Sequence, residues 1–150
     1  MIMKNLIFVS LIFFFISCKE NPTNIDPTGT HELRGENIDG EIKGYSGEIK
    51  VKLIENKKIA VNFYITKGHP SYNEGTFRDT LNYEHNRAVY QDKDPKTACT
   101  LTLDFSKEGV QIKENANYEY GSCWGNGVVA HGFFKKISAK IPSNTELMEE

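Results

Sequence analysis

From residue 30 onward, apolar and polar residues alternate with a period of two, the spacing that sends successive side chains to opposite faces of a strand. Ile49, Val51 and Leu53 alternate with Lys50 and Lys52, and beyond a turn at Asn56-Lys57 the apolar face continues in Ile59, Val61, Phe63 and Ile65. This pair of runs predicts a hairpin. A second follows from Phe77, Leu81 and Tyr83, which turn through Glu84-His85-Asn86-Arg87 into Ala88-Val89-Tyr90. A third joins Leu101, Leu103 and Phe105 to Val110 and Ile112 across Ser106-Lys107-Glu108-Gly109. Gly127 to Lys136 reads as a long closing strand, and Thr30 to Lys43 as one or two opening strands broken near Gly35 or Gly40. Asp79 is the exception to the pattern, because strict alternation points it inward with Phe77 and Leu81. It requires a bulge, a partner such as Arg78 or Arg87, or an open polar interior.

Helical stripes are hard to find. The expected fold class is all-β: a small antiparallel β-barrel or rolled sheet of about eight strands, with little helix, since closure removes sheet edges that invite aggregation. Gly29-Thr30-His31-Glu32-Leu33 and Gly132-Phe133-Phe134-Lys135-Lys136 look alike, which suggests that first and last strands pair. A two-sheet sandwich has the same alternation and stays open as an alternative.

Ahead of the alternating region, an apolar run from Leu6 to Ile16 follows Lys4 and ends in Phe15-Ile16-Ser17-Cys18. It has the length of a secretory signal core and falls short of the roughly 20 residues a spanning helix needs. Its end resembles the lipobox of bacterial lipoprotein signal peptides. That resemblance implies cleavage before Cys18, acylation of its thiol and amino terminus, and a membrane anchor at the cell envelope. Two or three acyl chains anchor durably where one does not. Residues 1–17 are then a signal peptide and 18–29 a polar, proline-punctuated tether. Residues 30–137 form the β domain and 138–150 a polar tail. Lys19 does not resemble the aspartate that retains some lipoproteins in the inner membrane, so the expected address is the outer membrane, on its periplasmic or its outer face.

The formal net charge is −2, and loss of Lys4 with the signal makes it −3. Mild acidity argues against nucleic acid; it is compatible with a cationic protein partner, but solubility alone also explains it, so charge does not decide function. With Cys18 given to lipid, Cys99 and Cys123 remain as an even pair in a compartment that permits disulfides, and a bond closing a loop of about 25 residues contributes roughly 3.5 kcal/mol in the chain-entropy model. No zinc spacing accompanies either cysteine, and His31, His69, His85 and His131 are scattered, so neither metal nor cofactor is expected.

Two segments are candidate binding sites. Gly68-His69-Pro70-Ser71-Tyr72-Asn73-Glu74-Gly75 is too elaborate for a minimal turn; it is either a plain long turn fixed by Pro70 and Gly75 or a recognition loop, in which Tyr72 offers amphipathic contact area while His69 and Ser71 add hydrogen-bonding groups. Trp124, the single tryptophan, lies beside Cys123 in a glycine-rich corner, where it serves as packing or as a secondary anchor. No nucleophile elbow or paired carboxylates stand out, so the chain reads as a non-enzyme.

The stretch Thr97 to Lys136 has a cysteine before an alternating strand, a glycine turn, and a second cysteine ahead of Gly-x-Gly-Val and Gly-Phe-Phe-Lys-Lys. It resembles small periplasmic lysozyme-inhibitor-like barrels. The resemblance covers about a third of the domain and implies a lipid-anchored barrel that inserts a loop into the cleft of a lysozyme-like cell-wall hydrolase. The better-known inhibitors pair serine with glycine in that loop, whereas Ser71 precedes Tyr72. The leading expectation is a lipid-anchored β domain that binds another protein. The alternatives are a barrel taking an apolar or sugar ligand and a hydrolase with a site not evident in the sequence.

Overall fold

The computed structural model describes residues 24–55, 57–93, 96, 98–120, 123–124 and 127–148. Cys18 and the signal segment lie outside them. Ten strands follow in chain order: β1 (Gly29–Leu33), β2 (Glu36–Ile38), β3 (Glu41–Lys43), β4 (Tyr45–Glu55), β5 (Lys58–Lys67), β6 (Glu74–Glu84), β7 (Arg87–Gln91), β8 (Thr100–Phe105), β9 (Gly109–Asn115) and β10 (His131–Ser138). Eight of them close an antiparallel barrel in the order β1-β10-β9-β8-β7-β6-β5-β4, and β2 and β3 form a separate two-stranded ribbon. Each barrel strand pairs with its neighbours along the chain, and the first strand pairs with the last, Glu32 opposite Lys135. The three hairpins expected from the alternation are β4–β5, β6–β7 and β8–β9.

The inward rows are those the period of two marks. Ile49 and Val51 of β4, Ile59, Val61, Phe63 and Ile65 of β5, and Leu101 and Leu103 of β8 are at most 1% exposed. Inward glycines make room for large side chains, as small barrels require. A Cβ on Gly47 would lie 2.9 Å from the Phe134 ring, and one on Gly75 would lie 2.5 Å from Trp124.

Strand direction alternates, so the connections fall at two ends. At one, the turn end, they are short. His85 and Asn86, both at positive φ, make the two-residue β6–β7 turn, and the Ser106 hydroxyl accepts the Glu108 and Gly109 N–H groups in the β8–β9 turn. This end is plugged by part of the segment read as tether. Pro27 and Thr28 are buried, the Ile25 N–H donates to Asn86 Oδ1 at 2.7 Å, the Tyr83 hydroxyl donates to the Ile25 carbonyl at 2.6 Å, and the Leu53 N–H donates to Thr28 Oγ1 at 3.1 Å. Burial pushes the Tyr83 hydroxyl up to about 12, with Asp26 adding to the shift.

Three details differ from the pattern in the sequence. The closing strand starts at His131 because 127–130 are drawn into a loop described below. The tail carries a one-turn helix, α1 (Asn144–Met148), capped reciprocally by Ser143 and Glu146 and seated by buried Leu147. Asp79 keeps its inward register opposite Val61, with no bulge. It is tolerated because β6 and β7 pair only at Tyr83–Ala88 and Glu84–Arg87, leaving a gap in the wall where Asp79 is exposed and accepts the Thr80 N–H at 2.7 Å. Arg87 pairs with Asp104 instead.

Candidate functional site

Every long connection emerges at the other end, the loop end: the β2–β3 ribbon, residues 68–73, residues 92–99 and residues 116–130. The 68–73 loop leans on the ribbon. The Gly68 N–H donates to the Gly44 carbonyl and the His69 N–H to the Ile42 carbonyl, each at 2.7 Å. Any side chain at 68 would collide with that ribbon, since a Cβ there falls 2.2 Å from the Ile42 carbonyl oxygen. His69 Nδ1 stands 3.1 Å from the Glu41 carboxylate. Pro70 follows through a cis bond. Tyr72, at φ +49°, turns its ring edge-on to the His69 ring with centroids 6.3 Å apart and remains 49% exposed. Ser71 is exposed between them. The loop therefore displays an imidazole, a hydroxyl and a phenol on a backbone tied to a second element.

Between β9 and β10, residues 123–124 and 127–130 lie at the barrel mouth. Cys123 is disulfide-bonded to Cys99, with Cα atoms 5.4 Å apart. Trp124 lies nearly parallel to Phe77 and to Tyr90 at 6.1 and 6.2 Å and packs on Phe63 at 5.6 Å, so it plugs the mouth beneath the loops. Glu114, the next inward position after Val110 and Ile112, holds this plug. Its carboxylate accepts Trp124 Nε1–H at 2.9 Å, the Ala130 N–H at 2.6 Å and the Cys123 N–H at 3.4 Å. On the opposite wall the Tyr45 hydroxyl donates to the Gly127 carbonyl and accepts the Val129 N–H, both at 3.2 Å.

Of the four residues singled out in the sequence, His69, Ser71 and Tyr72 share one exposed surface, and Trp124 sits half-buried in the aromatic plug at the same end. Glu41, Tyr45 and Glu114 were not anticipated. Nor were Tyr118 and Tyr120, which are exposed on the 116–130 connection. Glu114 carried the same signal as Asp79, a carboxylate on an inward register. Glu41 and Tyr45 carried none, because nothing in one dimension links them to the loops they hold.

Comparison of the chain with protein-family models, curated proteins and solved structures finds no match. The site is therefore read from its own chemistry. Among the described residues no group of three histidine, cysteine or acidic side chains could hold a metal ion. No described helix is long and apolar enough to cross a membrane. A groove of about 720 Å³ lies beside α1 at the gap in the wall, lined by Ala60, Val61, Thr76, Phe77, Arg78, Asp79, Thr80 and Leu147.

Proposed function

We propose that this is a lipid-anchored envelope protein whose barrel binds another protein through its loop end, without chemistry of its own. The observation that carries the reading is the His69–Tyr72 ring pair, exposed yet fixed on the β2–β3 ribbon at the end opposite the point of chain entry. A recognition surface already held in shape loses little entropy on binding, and tyrosine supplies contact area at low rotamer cost. The partner class that fits best is a cationic cell-wall hydrolase of the lysozyme kind, met by a chain whose formal charge without residues 1–17 is −3. The side chains that fill the interior weigh against a ligand held inside the barrel.

Two experiments test the parts separately. Cys18→Ala is expected to move the protein from the membrane to the soluble fraction, and unchanged sedimentation with membranes would contradict acylation. The soluble domain, titrated against a panel of lysozymes, is expected to inhibit at least one at micromolar concentration, with Tyr72→Ala weakening inhibition about tenfold or more, as truncating an interface anchor does. Absence of inhibition across the panel removes the hydrolase as partner.

A further inference from the structure

The two barrel ends differ in surface as well as in loop length. At the turn end, Ile54, Ile137 and Ile141 are 49%, 52% and 62% exposed. Ile54 and Ile137 are the next-to-last residues of β4 and β10, both of which end at this rim, and Ile141 lies on the segment between β10 and α1. The loop end exposes Tyr72, Tyr118 and Tyr120 together with one aliphatic residue, Ile38 of the ribbon at 46%. Aliphatic side chains gain from leaving water altogether, whereas a phenol keeps a polar tip.

The chain enters at the turn end and is fastened there. Asn86, Tyr83 and Lys136 each hold backbone atoms of Ile25 or Asp26. Six residues, 19–24, separate Cys18 from Ile25, and fully extended they span about 25 Å. The loop end lies a further strand length away, about 25 Å along a tilted barrel. A leash fixed at one rim keeps that rim within about 25 Å of whatever holds Cys18.

We propose that the turn end is a membrane-contact face: Ile54, Ile137 and Ile141 rest in the lipid headgroup layer and the loop end points directly away from it. This rests on the acylation of Cys18 proposed above. Lys57, Lys107 and Lys140 stand on the same end, but Glu84 and Glu108 stand among them, and Lys57 lies 3.5 Å from Glu84. The contact is thus chiefly apolar and only weakly salt-dependent. Its consequence is orientation, since the His69–Tyr72 surface is presented outward from the membrane at the height of the whole domain.

The test uses the full acylated chain in vesicles of phosphatidylethanolamine and phosphatidylglycerol doped with a lipid carrying a spin-label quencher near the headgroup. Trp124, at the loop end, serves as the internal reference. Ile141→Trp is expected to add indole emission that loses about half or more of its intensity to the quencher, while Trp124 and the indole of Tyr72→Trp lose almost none. Both positions are exposed, so neither substitution reaches the barrel core. Equal quenching at 141 and 72 overturns the proposal, as does quenching at neither, which would mean that the domain hangs clear of the surface. Failure of the protein to sediment with the vesicles, or sedimentation unchanged by Cys18→Ala, removes the acylation reading itself and is distinct from both.

Discussion

Glu114→Ala is expected to lower stability by about 3 kcal/mol or more, read as a fall in the denaturant midpoint at unchanged slope. The magnitude follows from what the carboxylate holds. Hydrogen bonds to a carboxylate contribute about 1.5–3 kcal/mol, and deleting the acceptor leaves the Trp124 indole N–H and the buried Ala130 N–H without a partner. The Cys99–Cys123 bond remains, so the segment stays tethered at one point while its plug loosens. Hydrogen exchange at 123–130 should therefore rise more than exchange in β4 and β5. Glu114→Gln keeps one carbonyl acceptor and should cost less than half as much. If both variants match the parent, the carboxylate is not what seats Trp124.

Acidification is expected to remove a comparable amount through His31. This side chain is 1% exposed inside the barrel near the turn end, edge-on to Phe105, and neither ring nitrogen has a hydrogen-bond partner among the described residues. Burial, with the Lys136 ammonium adding to it, pushes the imidazole down to about 4 from its ordinary 6.5. Above pH 6.5 the ring is neutral in both states and costs nothing. As pH falls from 6.5 to about 4 the unfolded chain takes up a proton that the native barrel refuses, so stability drops by about 3 kcal/mol across that window. Asp26 is held below the ordinary carboxylate range by its hydrogen bonds to Thr28, and Glu146 by those to Ser143, so their losses come at the acid end. His31→Leu should flatten the stability profile between pH 6.5 and 4. A slope that survives the substitution would assign the effect to other groups.

His31 also illustrates what one dimension conveys. The period of two identified the strands of the β4–β5, β6–β7 and β8–β9 hairpins, because each has one face on the core and one toward water. It failed where no such contrast exists. Glu36, Asn37 and Ile38 of β2 are all exposed and Glu41, Ile42 and Lys43 of β3 are all half-buried, so the ribbon that braces the candidate loop has no alternation to detect. The capped turn of α1 was written in Ser143-x-x-Glu146 ahead of Leu147, but five residues are too few for a periodic stripe. The loop at 68–73 stood out for its composition. That it is braced by the ribbon, and that the 116–130 connection shares its end, are consequences of barrel closure and strand count, which set distant segments side by side.

Partner contact is expected at one end of the barrel only. A photo-crosslinking amino acid placed at position 72 of the full chain in living cells, with a second variant labelled at position 107, tests this directly. Binding through the loop end gives a discrete adduct with a second protein from position 72 and none from 107. The same adduct from both positions, or none from 72, would contradict it.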